Sequence, residues 1–223
     1  MEDTANVLFS IGPLEVTKAV VSMWVIIAVI GIVCYLATRK LKDVPGPLQN
    51  VAEMAVTKLQ DYFTGSMGAE NGRRYFPIMA TFFIFIIVSN YSGLLPGAGK
   101  AFVVPTANLS TTAGLALIAF LTNHIIGFRR RGFLGYLKSF LKPFAVMLPL
   151  TLVEQLVRPF SLALRLYGNL FGEEMVTEKL GELFPLVLPL VMQVLSLLFC
   201  LIQAIVFTML LSVYIEEAVE EEE

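Results

Sequence analysis

The chain has 223 residues, 57% of them hydrophobic and only 15% charged, with a mean hydropathy of +0.76. Soluble domains run about 45–50% apolar and about 25% charged. Disorder is excluded and a soluble globular fold disfavoured, which leaves a polytopic membrane protein if the apolar residues form long enough runs.

The N-terminus begins Met-Glu-Asp, with no basic stretch and no small-residue cleavage site, so no signal or transit peptide is expected. Residues 19–38 carry no charge and read as the first span. Residues 47–63 follow a different pattern. Leu48, Val51, Ala52, Ala55, Leu59, Tyr62 and Phe63 share one helical face, and Gln49, Asn50, Glu53, Lys58 and Asp61 share the other. That is an amphipathic helix, suited either to the cytoplasmic membrane surface or to packing on other protein. Gly65-Ser66-Met67-Gly68 is expected to end it.

A second span is expected over 75–95, ending in the turn-rich Ser92–Gly99, and a third over 109–128. His124, late in that third span, reads as a helix–helix hydrogen bonder. The last two segments, 143–175 and 183–215, are over-long. A straight helix of residues 183–215 would reach about 50 Å at 1.5 Å per residue, against a hydrocarbon core of about 30 Å. A tilted helical hairpin, or helices projecting from the membrane, accounts for such lengths. The runs are too continuous for barrel strands. The expected fold class is therefore all-α transmembrane: one membrane domain over residues 1–223, with about five membrane segments and one interfacial helix.

Charge placement orients the chain. Arg39, Lys40 and Lys42 follow the first span, Arg73 and Arg74 precede the second, and Arg129, Arg130, Arg131, Lys138 and Lys142 follow the third. These basic loops are cytoplasmic by the positive-inside rule, so the N-terminus is outside and the C-terminus cytoplasmic. Six of the 18 carboxylates lie in the last eight residues, 216–223, which read as a solvated acidic tail. Cys34 and Cys200 occupy different apolar runs and read as buried, reduced thiols.

The chemistry sits in the fourth segment. Glu154, Arg158, Ser161, Arg165, Asn169 and Gly172/Glu173 recur every three or four residues and form one polar stripe on an apolar helix. Gln193, Ser196, Cys200 and Gln203 do the same on the last helix. An arginine at mid-membrane costs from about 2.5–3.5 kcal/mol upward, and it stays protonated at any working pH. Arg158 can pair with Glu154, its i,i+4 neighbour. Arg165 has no acid one turn before or after it, so it needs an anionic partner or a water-filled cavity. If Arg165 and Gln203 lie level in an antiparallel hairpin, the turn centres on residue 184, within the turn-like Gly181–Pro185. Glu173, Glu174, Glu178 and Glu182 then cluster toward the outer end, lining an aqueous path inward to a fixed cation.

Arg158-Pro159-Phe160-Ser161-Leu162-Ala163-Leu164-Arg165-Leu166-Tyr167-Gly168-Asn169 closely resembles the signature of subunit a of F-type ATP synthases. Further matches are Gly172-Glu173-Glu174, Gln203-Ala204-Ile205-Val206-Phe207, Asn90 to Pro96 and Pro105 to Thr112. The resemblance runs from the first span to the C-terminus. It implies an ion-translocating stator subunit, most simply for protons with Na⁺ as the other cargo. Such a subunit supplies two aqueous half-channels beside a rotating ring of subunit c. Arg165 matches the family's essential arginine, which ion-pairs with the c-ring carboxylates and blocks proton leak. Gln203 matches a residue that faces and orients that arginine, Asn169 and Glu174 match polar positions of the outer half-channel, and Ser161 matches a small polar position. Glu154 matches a carboxylate of some branches, on the inner exit path.

Two departures stand out. Asn108 and Ser110 replace the usual Asp and Asn, and Ser196 replaces a residue that is often ionisable, while Glu173 stands where many members have a small one. A carboxylate moved from one helix to the other is the expectation that follows. The resemblance further implies a peripheral-stalk subunit b and membrane lipid as partners, no nucleic acid, no cofactor, no metal, no ATP site in this chain, and a bacterial plasma (inner) membrane location. A stand-alone secondary ion transporter is the competing reading, although no internal repeat supports it.

Overall fold

Long charge-free runs satisfy their backbone polar groups only as helices in a membrane, and helices dominate the computed structural model. It describes residues 7–11, 14–39, 46–94, 103–139, 148–183 and 187–219. In order these form strands β1 (Val7–Ile11) and β2 (Leu14–Thr17), then helices α1 (Lys18–Thr38), α2 (Pro47–Tyr91), α3 (Leu109–Ser139), α4 (Leu148–Leu183) and α5 (Val187–Val219). Single 3₁₀ turns occupy Ser92–Leu94 and Pro105–Ala107. The expected helical architecture is the one observed, with one addition. The strands pair antiparallel, Ser10 opposite Glu15 and Ile11 opposite Leu14, as a hairpin leading into α1.

Among the described residues four helices are long and apolar enough to cross a membrane: Lys18–Thr38, Gln49–Leu94, Leu109–Gly132 and Leu190–Val219. The fifth expected segment is α4, whose charged stripe lowers its apolarity.

The amphipathic helix and the second span meet within α2, and the break between them falls at Gly68, in the Gly65–Gly68 stretch expected to end the first. α2 bends at Gly68, with φ 75° and ψ 164°, a conformation open in practice only to glycine. Gly72 makes the corner tight, because a Cβ there would lie 2.6 Å from Cα of Thr64. Beyond the corner α2 packs along α5. Phe63, Met67, Met79 and Ile86 are buried with Ala204, Phe207, Leu211 and Ile215, and the Phe82 and Phe207 rings stack with centroids 6.0 Å apart. The end of the amphipathic segment also touches α5: Tyr62 donates to Sδ of Met209 at 2.6 Å, and the Ser66 and Ser212 hydroxyls lie 3.3 Å apart. Its first turns, with Val51, Met54 and Val56, are exposed. The helix therefore lies on protein at one end and has a free surface at the other.

α3 passes the expected end of its span and bends at Gly132, again at positive φ (72°). Its start is capped by Asn108, whose Oδ1 accepts the Ser110 backbone N–H at 2.9 Å. Asn108 thus has a structural role of its own, as the cap of α3. His124 bonds the Phe120 carbonyl of its own helix at 2.9 Å and packs on the Phe120 ring.

Candidate functional site

The site forms where the stripes of α4 and α5 meet the end of the second span. On α4 the buried seam is Leu162, Ala163, Leu166 and Leu170. The polar stripe runs along its edge, so that Arg165, Asn169 and Glu174 are exposed while Ser161 and Glu173 are half-buried. On α5 the inward line is Ser196, Cys200, Gln203, Ala204 and Phe207, all buried, whereas Gln193 is exposed and off it.

Asn169 Nδ2 donates to Gln203 Oε1 at 2.6 Å. The bond places Gln203 level with Asn169, one turn further along α4 than the Arg165 level supposed for the hairpin. The midpoint of 169 and 203 is residue 186, two residues later than expected, and the turn itself lies outside the described residues. Among the described residues no hydrogen bond or ion pair engages the Arg165 guanidinium, and its side chain is exposed. Gln203 Nε2 is buried with no partner among the described residues, a donor left over beside the same cavity.

That cavity has two parts. A narrow pocket of about 10 Å³ is lined by Asn90, Leu166, Asn169, Leu170, Glu173, Phe199, Cys200 and Gln203. A wider one of about 170 Å³ is lined by Asn90, Gly93, Leu94, Val104, Leu170, Glu173 and Glu174. Asn90, Leu170 and Glu173 border both. The wider part has room for several waters. Asn90 is fixed by Thr106, which donates to its Oδ1 at 2.8 Å. Glu173 faces the Ser196 hydroxyl and lies near Cys200. Ser196 also donates to the Met192 carbonyl at 2.8 Å. The fold thus gathers Glu173, Glu174, Asn169 and Gln203 around these two pockets, with Ser196 facing Glu173 and Arg165 one turn beyond on α4.

Glu154 lies elsewhere, toward the start of α4, bonded to Arg158 Nη2 at 2.7 Å. Arg158 also pairs with Glu217 of α5 and stands 4.7 Å over the ring of Tyr214. Glu217 belongs to the stretch expected to be a solvated tail. It is exposed, within a helical continuation of α5 over residues 216–219, and Arg131 of α3 donates to its backbone carbonyl at 2.9 Å. Residues 220–223 lie outside the described residues. The hairpin register itself was the missing signal, since a centre at residue 186 puts Tyr214 level with Arg158 and Glu217 one turn on. Among the described residues no cluster of His, Cys, Asp and Glu could hold a metal ion.

Residues 20–216 match the family model described as ATP synthase A chain. The chain is 42% identical to "ATP synthase subunit a 3" of Pelobacter propionicus, over 95% of this chain and 93% of that protein. It is 41% identical to "ATP synthase subunit a" of Trichlorobacter lovleyi, over 92% and 88%. It is 40% identical to the protein of the same name from Geobacter sulfurreducens, over 94% and 92%. Signature, helical membrane fold and full-length similarity agree: the chain belongs to the ATP synthase A chain family, the membrane-sector, non-catalytic subunits a of the ATP synthase.

Proposed function

We propose that this chain is the stator of the membrane sector in a bacterial inner membrane, passing ions through two half-channels to and from the carboxylates of a rotating c-ring. The N-terminus is outside and the C-terminus cytoplasmic, as the basic loops require. The peripheral-stalk subunit b and the c-ring are its partners within the complex. One observation carries the reading: Arg165 is exposed in an apolar helix and unpaired among the described residues. A permanent cation in that position is stabilised by an anion arriving on another chain.

The outer half-channel is the divided cavity. Ions enter at Glu174 and Glu173, pass Asn169 and Gln203, and meet the ring carboxylate beside Arg165. The arginine draws that carboxylate into its ionised form by ion pairing. Its fixed charge also repels a proton crossing directly between half-channels. Glu173 facing Ser196 supports a carboxylate transferred to α4 from the α5 position. Ser161 lies one turn before Arg165 on the ring side, and Glu154 near the inner exit.

The test is Arg165→Ala in the whole complex. Assembly with a c-ring and loss of ion-driven ATP synthesis is the expected result. Normal synthesis in that variant would overturn the reading.

A further inference from the structure

The stripe of α4 carries two arginines, Arg158 and Arg165, two turns apart, which is about 10 Å along a helix. Of the two, only Arg165 has no hydrogen-bond or ion-pair partner among the described residues. Arg158 is 13% exposed at its side chain and held between the carboxylates of Glu154 and Glu217, with its guanidinium over the Tyr214 ring. Both carboxylates are more than half exposed, at 57% and 54%, so they remain hydrated while they neutralise it. Tyr214 is the common neighbour, within electrostatic reach of both arginines. Glu217 in turn is positioned by α3, through the bond from Arg131 to its backbone carbonyl.

Resting on the reading of Arg165 given above, we propose that Glu217 is a positioning residue for ion transfer: it sequesters Arg158, so that Arg165 is the single free cation offered to the ring carboxylate. Glu154 alone cannot do this. It lies on the same helix and holds one guanidinium nitrogen, whereas Glu217 reaches Arg158 from α5 with both carboxylate oxygens. Without Glu217, Arg158 keeps only Glu154 of its own helix, loses its tie to α5, and one unit of negative charge is gone from its side. A change of one unit charge about 10 Å away at an effective dielectric constant near 20 shifts a charge equilibrium by about tenfold. A ring carboxylate would then be detained on the inner side of Arg165.

The experiment uses whole complexes carrying Glu217→Gln, Arg158→Gln or both, with ATP-driven pumping and ATP synthesis normalised to c-ring copurified with the chain. Expected are a loss of about tenfold in E217Q, little change (within about twofold) in R158Q, and recovery of the double variant to the R158Q level. Recovery on removing the released cation is what a merely structural tie between helix ends would not give. Full activity in assembled E217Q, or a double variant as slow as E217Q, overturns the proposal. If E217Q complexes fail to accumulate, Glu217→Asp replaces it, with a partial loss that R158Q relieves; no relief overturns the proposal. Normal synthesis in Arg165→Ala would sink the stator reading itself. A dead Arg165→Ala beside a flat Glu217 series would sink only this inference.

Discussion

Asn169 on α4 and Gln203 on α5 are joined by a 2.6 Å hydrogen bond, with Arg165 one turn away on the same helix as Asn169. The bond ties the two long helices together beside the proposed transfer point. It also leaves Gln203 Nε2 buried and without a partner among the described residues.

If the bond positions the path, Gln203→Leu and Asn169→Leu should each lower coupled ATP synthesis several-fold, in line with about 0.5–1.5 kcal/mol for a neutral hydrogen bond. The double variant should be little worse than either alone, because both remove the same interaction. Strictly multiplicative losses would mean that the two side chains act separately. ATP-driven quenching of a pH dye in inverted vesicles measures this.

Arg165→Lys keeps the charge and loses the planar fork. An ammonium is more strongly hydrated and offers a single point of contact. Assembled complexes should therefore make ATP at less than about one-tenth of the normal rate. Wild-type synthesis in this variant would show that charge alone suffices.

Glu174 and Glu173 both border the wide cavity, but only Glu173 also borders the narrow pocket with Gln203. Both alanine variants should reduce passive proton conductance through the membrane sector. Glu173→Ala should respond to a compensating Ser196→Glu, since Ser196 faces that carboxylate. An intact conductance in Glu173→Ala with loss in Glu174→Ala would remove Glu173 from the path.

The corner of α2 should be the most sensitive small-residue site outside the path. Gly72→Ala drives a methyl against the Thr64 backbone at 2.6 Å. Backbone must move, at a cost of about 1–3 kcal/mol or more. Gly68→Ala meets no neighbour within 4 Å but holds φ at 75°, which costs about 1–3 kcal/mol of backbone strain. Both should lower the amount of assembled complex in detergent extracts. Gly65→Ala has neither constraint in the described structure and should accumulate normally.

The apolar runs, the orienting charges and the stripe of α4 are all legible in the sequence, because helical period and transfer energy act within a single segment. The α2 corner is legible only in part. Gly68 announces a break, but the role of Gly72 depends on which backbone folds against it. The partner of Arg158 was half legible: Glu154 sits at i,i+4, whereas Glu217 is 59 residues away.

By itself the sequence determined that this is a helical membrane protein with an arginine lacking any acid one turn before or after it on an apolar helix, and its signature pointed to the family. Only the tertiary structure decided that Gln203 meets Asn169, and that Arg158 is claimed by Glu217 while Arg165 is left free among the described residues. The reason is physical. A helix's period fixes which side chains share a face, but the axial register of two helices is set by side chains that interdigitate between them. Here Leu166, Ala204 and Phe207 are fully buried in that seam. A slip of two turns along it, the spacing of Arg158 and Arg165, would carry Arg165 to the level where Arg158 now meets Glu217.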